Sequence, residues 1–217
     1  MKHCLKIYSI VFATVLISIA RASFGGQITG SAHDFTADAW SGGRICVACH
    51  APHHTDTTVT DAPLWNHAVT AQAYTLYSSA TLDASIGQPS GLSKLCLSCH
   101  DGTVAVDSFG GVTGSVTVST ASNLGSTLND DHPVGFTYDS ALASLDGALH
   151  DPISTNITIG SGGQQKPGTI DTVMLFNGKM ECSSCHDVHN TFTADAGVSL
   201  VKVSQSGSAL CLACHNK

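Results

Sequence analysis

Four stretches of the chain share one pattern: Cys46-Val47-Ala48-Cys49-His50, Cys96-Leu97-Ser98-Cys99-His100, Cys182-Ser183-Ser184-Cys185-His186 and Cys211-Leu212-Ala213-Cys214-His215. Two thiols three positions apart lie on one turn, where each can add to a vinyl group of the same haem; the histidine that follows then falls beneath the ring and binds its iron. Zinc also takes paired cysteines, and four pairs could build two Cys₄ sites, but zinc does not require a histidine after the second cysteine. Disulfides leave that histidine unexplained as well. With 12 histidines in 217 residues, four such placements by chance come to about one in 10⁵. The spacing therefore predicts four covalently bound haem c groups, attached through the eight motif cysteines, with His50, His100, His186 and His215 as proximal ligands. Of the nine cysteines only Cys4 stands outside the motifs.

The second axial ligand decides what such a protein can do. His33, His53, His54, His67, His132, His150 and His189 remain once His3 and the motif histidines are set aside. Methionine is the other common partner, but beyond the first residue there are only Met174 and Met180, too few for four irons. Bis-histidine ligation of every haem follows, with His33, His53, His67, His132 and His189 as distal candidates; His54 reads as a solvated neighbour of His53, and His150 as a loop residue. His53 and His189 each lie three residues after a motif histidine, on an adjacent turn that points away from that motif's own iron. Each suits a neighbouring haem, which would lock haems into stacked pairs. Iron with two histidines offers substrate no open position, so the expectation is electron transfer and no enzyme. A haem enzyme would need a vacant iron flanked by convergent acids and bases, and would show a high-spin signal.

The elements that must position these groups are sparse. Residues 1–22 carry Lys2 and Lys6, an apolar stretch and then Ala20-Arg21-Ala22, the pattern of a Sec signal removed on secretion, which leaves no membrane span in the mature chain. Cys4 precedes the apolar stretch, so it does not mark a lipoprotein. Loss of Lys2, Lys6 and Arg21 takes the formal charge from −7 to −10, which disfavours nucleic acid and anionic membranes. Only 6% of residues are aromatic, and glycine, serine and threonine are abundant, so a core of protein alone looks thin and haem must fill it. The expected fold is mostly irregular coil built around haem, with a few short helices and a small β-hairpin, in one tetrahaem domain over residues 23–217. Helical turns are expected at 39–49, 91–99 and 204–214. A hairpin is expected from 103–106 and 112–119 around Gly110-Gly111, and a long surface loop over 154–169. Successive motifs begin 50, 86 and 29 residues apart, an unevenness that argues against simple duplication.

The succession G-S-A-H-D-F, C-x-x-C-H-A-P-H, A-P-L-W-N-H, L-C-L-S-C-H-D-G-T, D-H-P-V-G-F, C-S-S-C-H-D-V-H and L-C-L-A-C-H, from Gly30 to His215, resembles the doubled-CxxCH multihaem cytochromes. The resemblance is greatest to the extracellular tetrahaem members of metal-reducing bacteria. It implies more than the spacing does: homopolymeric filaments with one haem chain continuous across subunits, and a histidine of one copy ligating a haem of the next. His53 or His33 would cross that interface, because both lie near the mature N-terminus. Expected partners are redox-partner cytochromes and extracellular acceptors such as metal oxides. A soluble periplasmic shuttle, or the electron-donating subunit of a reductase, is the alternative with the same haem chemistry.

Overall fold

A computed structural model describes residues 28–194 and 199–217; the expected leader, with Cys4, lies outside the described residues. Much of the described chain is turn and coil. The regular elements are β1 (Thr75–Leu76), α1 (Gly91–His100), β2 (Thr127–Leu128), β3 (Phe136–Thr137), α2 (Ser140–Asp146), β4 (Asn156–Ile159), β5 (Lys166–Thr169), α3 (Ile170–Val173), β6 (Lys179–Met180), α4 (Cys182–Cys185) and α5 (Ala209–Leu212). Single 3₁₀ turns stand at Ala39–Ser41, Thr120–Ser122 and Ser206–Ser208. β1 pairs with β2 in parallel, and β3 with β6 and β4 with β5 antiparallel. Among the described residues no helix is long and apolar enough to cross a membrane.

Local sequence explains the helices. α1 follows Pro89-Ser90 and buries Ser93, Leu95, Leu97 and Ser98; the small Ser93 lets α4 approach closely. Ser93 Oγ accepts from Cys182 N at 3.0 Å and donates to Glu181, whose carboxylate also accepts from Ser93 N at 3.1 Å. Glu181 and Ser184 form a reciprocal capping box that starts α4. α2 opens where the Asp139 carboxylate accepts from Leu142 N at 2.9 Å and closes on Gly147, left-handed at φ +70°. The helical turns expected at 91–99 and 204–214 are present; that at 39–49 reduces to the turn at Ala39–Ser41 and a run of hydrogen-bonded turns.

The hairpin lies elsewhere than expected. Residues 103–106 and 112–119 form no strand; one backbone bond joins them, Val106 N to Val116 O at 2.7 Å. The Asp107 carboxylate takes the N–H groups of Ser115 and Val116, both at 2.8 Å, and Ser108 Oγ takes that of Gly114. Side-chain acceptors here compete with a ladder and win. The supposed loop at 154–169 is instead the hairpin β4–β5, with Ile159 opposite Lys166. Gly160 turns it at φ +81°, where a Cβ would stand 2.0 Å from the Gln164 carbonyl oxygen. Pro167 is tolerated because a two-stranded ribbon is all edge. The hairpin exists because Ile159, 2% exposed, packs into the main apolar cluster with Phe136, Leu142, Ile170, Met174 and Met180. A smaller cluster joins Tyr74, Leu97 and Leu128.

Uneven motif spacing conceals a local repeat. His50 bridges antiparallel to Trp65, and His186 to Val201. Ala51 N donates to Leu64 O at 3.0 Å and Asn66 N to Cys49 O at 2.8 Å; Asp187 N donates to Leu200 O and Lys202 N to Cys185 O, each at 2.8 Å. The left-handed residues match too: His54 (φ 58°) and Leu64 (φ 57°) in one loop, Asn190 (φ 54°) and Leu200 (φ 50°) in the other. Every correspondence has one offset, 136 residues. The same loop thus follows the first and the third motif.

Candidate functional site

Each loop fixes its histidine. His50 Nδ1 lies 2.8 Å from Pro63 O and His186 Nδ1 2.5 Å from Ser199 O, at equivalent positions; His100 Nδ1 lies 2.8 Å from Ser122 O. A carbonyl only accepts, so Nδ1 carries the hydrogen and Nε2 keeps its lone pair for a metal. These carbonyls could not be anticipated from the motifs, since any residue type supplies one.

Two pairs of imidazoles are spaced for one metal each. His50 and His189 have ring centres 6.3 Å apart with planes 18° apart, and His33 and His100 have centres 6.1 Å apart, tilted by 59°. Two imidazoles bonded at about 2 Å on opposite sides of a single ion have ring centres roughly 6 Å apart. Burial, and then the charges of His100, His186 and His189, push His33 down to about 4, so it is neutral at pH 7 with a lone pair to give.

The other candidates stand differently. His67 is 2% exposed; its Nδ1 lies 2.7 Å from Ala68 O, and its Nε2 3.0 Å from Ala105 O and 3.5 Å from Cys99 Sγ. It therefore abuts the second motif with both ring nitrogens on carbonyls. His132 is exposed, with Nδ1 2.9 Å from Pro133 O, on the wall of a cavity of about 230 Å³ that Cys182, Cys185 and His186 also line with Leu97 and Leu128. His132 also lies close enough to His215 to lower its pKa, although burial is the larger cause. His53 is exposed. His54 lines a second, open cavity of about 670 Å³ beside His67, and the His150 carbonyl accepts from Tyr138 Oη at 2.6 Å.

No disulfide joins the eight motif cysteines, and neighbouring motifs lie near one another in chain order. Cys49 acts on Cys96 and Cys99, Cys96 is hydrogen-bonded to Cys182, and Cys185 lies beside Cys211 and Cys214. Burial pushes Cys49 up to about 11, and Cys99 and Cys214 to about 12. Zinc needs thiolates, whereas the surroundings of Cys49, Cys99 and Cys214 favour an uncharged sulfur, which a thioether is; Cys182 alone is pushed down, by its hydrogen bond with Cys96. Among the described residues no three or more His, Cys, Asp or Glu side chains converge as a metal site.

Among the described residues four buried polar atoms lack a protein partner: His33 Nδ1, Trp40 Nε1, Trp65 Nε1 and Ser183 Oγ. They lie at the motifs. Ser183 stands between two motif cysteines, Trp65 meets His50 edge-on at 6.2 Å, and Trp40 belongs to an aromatic strip, His33–Phe35–Trp40–Phe109, with successive centres 6.2, 5.2 and 5.9 Å apart. Buried donors left unpaired cost about 1–3 kcal/mol each, and haem carboxylates would accept from them. Paired imidazoles, uncharged thiols, aromatic walls and orphaned donors all fit haem. When bound, haem supplies a one-electron iron centre; the motif cysteines would hold it by sulfur and the paired imidazoles would ligate it.

A search of curated proteins returns no match. Residues 175–217, about a fifth of the chain, match the family model described as the doubled CXXCH motif. With the motif chemistry, that match supports a multihaem c-type cytochrome, a carrier of electrons by covalently bound haem.

Proposed function

We propose that the chain is a tetrahaem electron conduit, secreted and assembled head to tail into filaments that deliver electrons to extracellular acceptors. The observation that carries this reading is the packing of one motif on another: α1 meets α4 where Cys182 N donates to Ser93 Oγ at 3.0 Å, and His50 of the first motif faces His189 beside the third at 6.3 Å. Haems anchored there would stand close enough to relay electrons without a gap.

In this reading His50 and His189 hold the first haem and His100 and His33 the second. His53 and His132 serve the third and fourth irons, with one of them donated across the subunit interface. Both are exposed, as a ligand that reaches another copy must be. The approach of His33 to His100 of its own chain favours His53 over His33 as the crossing ligand. The motif order resembles that of the tetrahaem filament cytochrome OmcE. Cryo-electron microscopy of haem-loaded protein sheared from the cell surface tests the proposal. Filaments with unbroken haem chains and a histidine crossing each interface support it; discrete particles with every iron satisfied inside one chain would replace it with a soluble shuttle.

A further inference from the structure

The two copies of the histidine loop differ in charge. Where the first has Ile45, Ala51 and Asn66, the third-motif loop has Glu181, Asp187 and Lys202 at the same offset of 136 residues. The backbone is shared: Asn66 N and Lys202 N donate at 2.8 Å to the carbonyls of Cys49 and Cys185, so each stands beside an attachment cysteine. Lys202 is 7% exposed. Its Nζ lies 4.9 Å from the Phe176 ring centre and 3.5 Å from Val173 O. Burial brings its pKa down to about 8, against the opposing charge of Asp187, so it stays largely protonated at pH 7. Glu181, 3% exposed, flanks the same motif and is held by Ser93 and by the Ser184 N–H. Asp187 accepts from the N–H groups of His189, Thr191 and Phe192 at 3.1, 2.7 and 2.7 Å.

We propose that Lys202 and Glu181 set the potential of the third-motif haem apart from that of the first, Lys202 favouring the reduced state and Glu181 the oxidised state. The inference rests on the tetrahaem reading. Reduction adds one electron to the iron and breaks no bond, so a nearby cation lowers the energy of the reduced form and a nearby anion raises it. Buried charges exert this effect with little screening by salt. The first loop has no ionisable side chain at the equivalent positions, and its haem lacks this adjustment.

The test is a visible-absorbance redox titration of secreted holoprotein with its haem content measured in parallel. Lys202→Met is expected to raise the oxidised-to-reduced ratio of one haem about tenfold at fixed solution potential, about 59 mV for a one-electron couple. Glu181→Gln is expected to move the same haem oppositely, and the double variant to return it towards the parent. Shifts of one sign, shifts spread over all haems, or no shift in a four-haem protein would overturn the inference. Fewer than four haems in the parent would instead overturn the tetrahaem reading. Lys202→Gln gives the same readout where Lys202→Met fails to accumulate.

Discussion

Residues 136–180 and residues 28–66 are ordered by different means. The first region holds nearly all of the main apolar cluster, with Ile170 fully buried and Ile159 and Met174 at 2% and 1% exposure. The second contains one short 3₁₀ turn as its only helix, and Ser41, Ala48 and Trp65 alone among its residues are buried. Its order comes from backbone turns and from aromatic contacts around His33 and His50, where the haem groups belong. One region is folded by its side chains, and the other is shaped to be completed by a cofactor.

The largest effect should follow loss of haem. With the eight motif cysteines replaced by alanine, backbone amides of 28–66 are expected to exchange with solvent almost at once while those of 136–180 keep measurable protection. Equal exchange in both would break the comparison. Ile170→Ala, at the centre of the protein-built region, is expected to cost about 2–5 kcal/mol in denaturant unfolding of the holoprotein and to leave exchange in 28–66 little changed.

A smaller effect probes the segment that lies between the two regions in sequence. There the buried Asp101 carboxylate accepts from Thr70 Oγ, Tyr74 Oη, Thr103 N and Thr103 Oγ, each at 2.7 Å. Tyr74→Phe removes one donor and should cost about 1–3 kcal/mol, read as a shifted unfolding midpoint. Burial pushes the Asp101 pKa up, but the bonds from Tyr74, Thr103 and Thr70 together hold it below the usual range. Its contribution is therefore complete above the unfolded value, about 3.9, and disappears as pH falls through the lower folded value. Tyr74→Phe should flatten that acid limb, and an unchanged limb would show that Asp101 does not hold this segment.

How much was legible in the sequence follows the range of the interactions. Haem attachment is local chemistry, so the motifs could be read directly, and α1 with its cysteines lies where the spacing suggests. The hairpin was misplaced because alternation at 103–119 says nothing of the Asp107 carboxylate that captures its N–H groups, while glycines at 160–163 conceal strands held by distant Ile170 and Met174. The repeated loop was hidden for a similar reason. Its two copies share the C-x-x-C-H-x-x-H pattern but differ at Pro52 and Val188 and at Trp65 and Val201; what they have in common is backbone geometry, including left-handed turns at His54 and Asn190. The ring pairs His50–His189 and His33–His100 bring together residues from separate segments, and only the folded chain reveals them.

The central claim is that four motifs hold four haems. Intact-protein mass spectrometry of the secreted chain tests it most directly: the account predicts one dominant species carrying four covalent haem groups, and a stable, fully processed species with fewer would contradict it.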